Sequence, residues 1–170
     1  MRAESVAHFL LYLAVARLVL QAMKKEEVLL LSIRPEYAEK IFNRTKTVEL
    51  RRTRPARLQP QGTTAVVYVS SPVKALMGSF VVEQAIEAAP ALLWKRVAAV
   101  AGVTRQEYDR YYAGTARGVG LLIRDVQVFQ RPIGLERLRA FGVRPPQSYG
   151  YLDAAVVRGL LDFVCLSDPE

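Results

Sequence analysis

The chain has 170 residues, 51 % of them apolar, with 24 Lys and Arg against 16 Asp and Glu for a formal charge of +8. That length suits one domain with a sizeable core, and the composition excludes intrinsic disorder. A single cysteine, Cys165, and a single histidine, His8, exclude a disulfide framework and a Cys/His zinc site, so no metal or cofactor is expected and a reducing, cytoplasmic setting fits.

Residues 6–23 form the most apolar run, broken by His8, Arg17 and Gln21. The run is marginal for a membrane span, which needs roughly 20 apolar residues, and no span is expected. It reads as a helix packed on the domain or on a second copy of it in a homodimer, or as an extension upstream of a start at Met23. The chain accordingly divides into residues 1–23 and a domain over 24–170. Residues 28–33 have the length of a buried strand. Pro35 then opens a helix with Tyr37, Ala38, Ile41 and Phe42 on one face, ending near residues 43–45. Residues 46–52 alternate, with Val48 and Leu50 pointing one way and Thr47, Glu49 and Arg51 the other.

Strands follow at 64–70 and 75–85, and Gly78 in the second predicts a bulge or a close backbone approach. Short helices are predicted at 90–101 and 104–112, the latter opened by a Thr104/Glu107 capping box. A strand over 118–129 with a bend at Asp125, a helix over 135–141, a loop over 145–149 and a helix over 152–166 complete the chain. This order predicts an α+β domain whose mixed or antiparallel sheet curls into a small barrel with helices outside.

Between residues 44 and 57 stand Arg44, Lys46, Arg51, Arg52, Arg54 and Arg57, opposed only by Glu49. Edge strands also carry charge, which discourages pairing, but they normally alternate sign. Crowded like charges favour a polyanion, and a basic surface speeds its encounter, so nucleic acid is the first partner to consider. Glu49 and Arg51 share a face, with Lys46 at the preceding turn. One reading is a pairing that fixes the turn, contributing under about 1 kcal/mol if exposed. The other is a polar pocket floor in which Glu49 accepts from a base edge. There Lys46, its pKa lowered by neighbouring cations, would act as base or nucleophile. The expected cleft partners are Ser32 and Arg34 after the first strand, Tyr68, Ser70 and Ser71 at the end of the third, and Lys74. Tyr108, Tyr111 and Tyr112, beside Arg105 and Arg110, are either core residues or base-stacking surfaces, as are Tyr149 and Tyr151. Trp94 and Cys165 read as core.

The run SIRPEYAEKI followed by NRTKTVELR resembles the ASCH domain family of small PUA-like barrels. The family signature Gly-x-Lys-x-x-Glu-x-Arg matches Lys46, Glu49 and Arg51, with Arg44 in the place of the glycine. The resemblance implies a cleft between the first helix, the signature strand and a neighbouring strand. It also implies RNA binding, linked to regulation of transcription or translation, with Arg44, Arg52, Arg54 and Arg57 on phosphates. Some relatives resemble metal-independent ribonucleases, and others are acetylcytidine amidohydrolases. In the latter a threonine stands where this chain has Glu49. As an enzyme, the chain would use Lys46 and Glu49 as its catalytic pair.

Overall fold

The apolar run that opens the domain becomes β1 (Glu27–Ile33), around which residues 27–166 assemble in the computed structural model. The run 1–23, with His8 and the expected dimerisation helix, lies outside the described residues, as does the side chain of Cys165. β1 pairs in parallel with β3 (Thr63–Val69) on one edge and antiparallel with β6 (Tyr149–Asp153) on the other. Beyond β3 the sheet continues antiparallel through β4 (Ala75–Ala88) and β5 (Gly118–Gly134) to β2 (Val48–Arg51), giving the order β2-β5-β4-β3-β1-β6. Around it lie α1 (Pro35–Phe42), α2 (Pro90–Val97), α3 (Arg105–Tyr112), α4 (Leu135–Ala140) and α5 (Ala154–Leu166).

The two-residue period of a strand sends alternate side chains of β1 into different cores. Leu29, Leu31 and Ile33 pack with Ala38 and Ile41 of α1, while Val28 and Leu30 pack with Leu138 of α4 and Val157 and Leu160 of α5. A third core joins Val48 and Leu50 of β2 to Leu93, Val97, Tyr108 and Tyr112 of α2 and α3. Thr104 caps α3 with the expected reciprocal bonds to Glu107. Gly78 sits at a register shift, and a Cβ there would lie 2.3 Å from Gln127 O. This is the close backbone approach expected of it.

The expected barrel is corrected to an open, mixed sheet. β2 and β6 are the end strands of the sheet and do not pair with each other, so the ladder stays open. A side chain spans the seam instead: Arg51 Nη2 of β2 donates to Ser32 O of β1 at 3.0 Å. The end of the chain also differs from expectation. Tyr149–Asp153 is a strand, not a loop and a helix start, because the free edge of β1 supplies its ladder from Leu31↔Tyr149 to Glu27↔Asp153. β4 and β5 outrun their apolar stretches because each supports the other from Ala75↔Gly134 to Ala88↔Gly118. Among the described residues no helix is long and apolar enough to cross a membrane.

Candidate functional site

The open seam of the sheet is also where the basic cluster converges. α1 begins on Pro35, whose missing N–H costs nothing in a first turn, and ends in a tight reversal at Asn43 and Arg44. Arg44 takes the left-handed conformation, φ 64, and the Lys46 N–H donates to Lys40 O at 2.9 Å. A side chain in that region costs about 1–2 kcal/mol, the physical reason for glycine at this place in the signature. The turn forms regardless and drops Lys46 beneath α1, only 2 % exposed.

There Lys46 Nζ donates to Ala101 O at 2.6 Å, lies 3.6 Å from Glu49 Oε2 and stands over the Tyr37 ring. Burial pulls the ammonium below the ordinary lysine pKa; Glu49 opposes that pull, while Arg51 and Lys40 add to it. Glu49 Oε1 accepts from Arg51 Nη2 at 2.9 Å. Arg51 Nη1 donates to Ser148 O at 3.0 Å and to Ser148 Oγ at 3.2 Å. Its Nε is buried with no partner among the described residues. Glu49 and Arg51 are 6 % and 5 % exposed. One carboxylate thus joins two cations, and each cation grips backbone carbonyls on an opposite wall. The expected pairing is present, but as a buried network rather than a weak exposed contact, and the same three side chains line a cleft.

Above this floor opens a cleft of about 820 Å³, within the size range of small-molecule sites. Its lining brings together Ser32, Arg34, Lys46, Glu49, Arg51 and Arg52. Arg34 lies 3.9 Å from Glu36, and Glu107 is held by the Thr104 cap, whose bonds lower its carboxyl pKa. Arg52 and Arg110 line the cleft with no carboxylate at ion-pair distance among the described residues, although Arg110 lies close enough to Glu107 to help lower its pKa. Arg52 Nε donates to Tyr111 O at 2.7 Å, and its guanidinium stacks on the Tyr111 ring, which is 38 % exposed. Desolvation raises the pKa of both Tyr37 and Tyr111, so both phenols stay protonated at neutral pH.

The remaining candidates stand off the cleft. Arg44 is exposed in its turn, and Arg54 is exposed where its carbonyl accepts from Tyr149. Arg57 pairs with Glu27 and stacks on Tyr151. Tyr68 is 7 % exposed and packs with Leu30, Leu76 and Phe129, because its strand sits inside the sheet. Ser70, Ser71 and Lys74 form the β3–β4 turn, where Lys74 takes φ 54 and its carbonyl accepts from Leu135. Tyr108 and Tyr112 are core, and Trp94 packs against them under Arg105. Sequence reasoning treated Tyr37 only as a helix-face apolar residue and passed over Ser148 and Gln147 in a proline-rich loop, although all three line the cleft. Nothing local marks Ser148, which is placed by Ser32 N–H donating to its carbonyl.

A sequence profile of the ASCH domain matches residues 31–127. The chain belongs to the ASCH domain family. The ASCH domain-containing ribonuclease of Zymomonas mobilis is 34 % identical over 131 residues, which cover 76 % of this chain and 85 % of that protein. The crystal structure of ASCH from Zymomonas mobilis superposes with a TM-score of 0.74 at 30 % identity, covering 81 % of this chain and 96 % of that one. These structural neighbours fit a PUA-like fold. A Ureaplasma parvum protein named large ribosomal subunit protein uL22 is 25 % identical over 127 residues, but the match covers only 39 % of that protein.

Proposed function

We propose that the ASCH cleft binds single-stranded RNA, one nucleotide seated over the Lys46–Glu49–Arg51 floor and its flanking phosphates on the rim. The observation that supports this best is the pair of rim cations, Arg52 and Arg110, which form no ion pair among the described residues, beside the partly exposed Tyr111 ring. Phosphate neutralisation and base stacking, worth about 1–3 kcal/mol per stacked base, are what such a rim offers. In this reading Glu49, which lines the cleft, accepts from a base amine. Arg44, Arg54 and Arg57 contribute to the attracting field. Affinity for an unstructured RNA should fall with salt, and Arg52→Ala with Arg110→Ala should flatten the log–log slope by about 1.4. Affinity indifferent to salt, or an unchanged slope, would overturn it.

A second reading, RNA cleavage, is supported by the depressed pKa of Lys46 and by the name of the Zymomonas mobilis relative. A lysine whose ammonium is disfavoured by burial loses its proton more readily and can then accept one from a ribose hydroxyl. RNA incubated with wild type and with Lys46→Ala tests it. Turnover that survives the substitution removes Lys46 from the chemistry.

A further inference from the structure

Three successive carbonyls of the loop between α2 and α3 accept bonds from the segment that carries the signature. Val100 O accepts from Thr47 N–H at 3.0 Å, Ala101 O from Lys46 Nζ at 2.6 Å, and Gly102 O from Lys40 Nζ at 2.7 Å. The loop fits tightly against the lysine stem: a Cβ on Gly102 would meet Lys46 Cβ at 2.9 Å and Cγ at 3.1 Å. α3 begins immediately after this loop and supplies Glu107, Tyr108, Arg110 and Tyr111 to the cleft. Lys40 itself does not line the cleft.

We infer that Lys40 is a positioning residue: by holding Gly102 O it fixes the loop that seats the Lys46 ammonium and orients the α3 wall of the cleft. The physical argument is one of anchoring. Tyr108 and Tyr112 seat the inner face of this 8-residue helix in the core, while its N-terminal end hangs on the loop that precedes it. Here the N-terminal connection is held by an ammonium–carbonyl bond, stronger than a neutral hydrogen bond. The Lys40 charge also lies close enough to push the Lys46 pKa down, so the same side chain acts on Lys46 through space as well as through the loop.

The inference rests on the RNA-binding reading only for its second readout. The first is amide hydrogen exchange across residues 98–112 in Lys40→Met, Lys40→Arg and a control, Lys95→Met, which removes an exposed lysine of α2. Lys40→Met should lower protection in this segment about fivefold or more, Lys40→Arg should restore most of it, and the control should leave it unchanged. The second readout is RNA affinity against salt. Lys40→Met should weaken binding about fivefold with the slope unchanged, because no phosphate contact is lost. Unchanged protection overturns the inference, and so does a slope reduced by a full phosphate contact, since Lys40 would then touch the ligand. If wild type binds no RNA, the functional reading fails while hydrogen exchange still decides the role of Lys40.

Discussion

Replacing Glu49 with glutamine tests the buried network most directly. The substitution keeps the shape and one acceptor for Arg51 Nη2, but it removes the carboxylate shared by two cations that are 2 % and 5 % exposed. Removing one partner from a buried ion pair costs about 3–5 kcal/mol, because the remaining charge stays desolvated and unpaired. Lys46 has an escape, since its pKa is already depressed and it can lose its proton, whereas Arg51 cannot. The expected loss therefore lies at the low end, about 3 kcal/mol, or about 6–12 °C in Tm for a domain of this size. Urea unfolding followed by circular dichroism should show a lower midpoint at constant slope. Adding Lys46→Met to Glu49→Gln should recover at most about 1 kcal/mol, because Lys46 can already shed its charge and Arg51 stays unpaired in both variants. A loss under about 1 kcal/mol, the behaviour of an exposed pair, would refute the buried-network argument. A double variant that regains the whole loss would refute the assignment of the remaining unpaired charge to Arg51.

Arg44→Gly relieves the left-handed strain at φ 64 and should raise stability by about 0.5–1 kcal/mol, seen as a higher urea midpoint; a loss would mean the Arg44 side chain contributes more than its backbone costs. Gly102→Ala places a Cβ against the Lys46 stem at φ +65 and should cost about 1–3 kcal/mol in thermal unfolding; an unchanged Tm would refute the tight contact. Between the lowered pKa of Lys46 and the ordinary 10.5, the unfolded chain binds more protons than the folded one, so this residue makes stability rise with pH in that window. The raised pKa of Tyr37, Tyr108, Tyr111 and Tyr112 acts in the opposite sense above about pH 10, so the lysine contribution is read as wild type minus Lys46→Met between neutral pH and 10. That difference should grow with pH, and a flat difference would show that Lys46 is not desolvated.

Much of the scaffold was legible because it rests on local rules. The period of β1, the proline start of α1, the Thr104 cap and the constraint at Gly78 each follow from residue chemistry within a few positions. β6 was not legible, because Tyr149–Asp153 is a strand only by virtue of an edge of β1 more than a hundred residues earlier. The closed barrel was a reasonable inference from sequential strands. It failed because the end strands β2 and β6 do not pair, a long-range relation that no local pattern encodes.

The sequence by itself determined the density of positive charge, the Lys46–Glu49–Arg51 spacing and the family to which it points, since these are properties of residue type and order. Tertiary structure decided what the trio does. Burial turned a weak surface pairing into a network that holds carbonyls on both walls, at Ala101 and at Ser32 and Ser148. It also separated Arg52, which reaches the cleft, from Arg54 and Arg57, which do not. Desolvation and long-range contacts depend on what the fold brings overhead, and no local spacing encodes that.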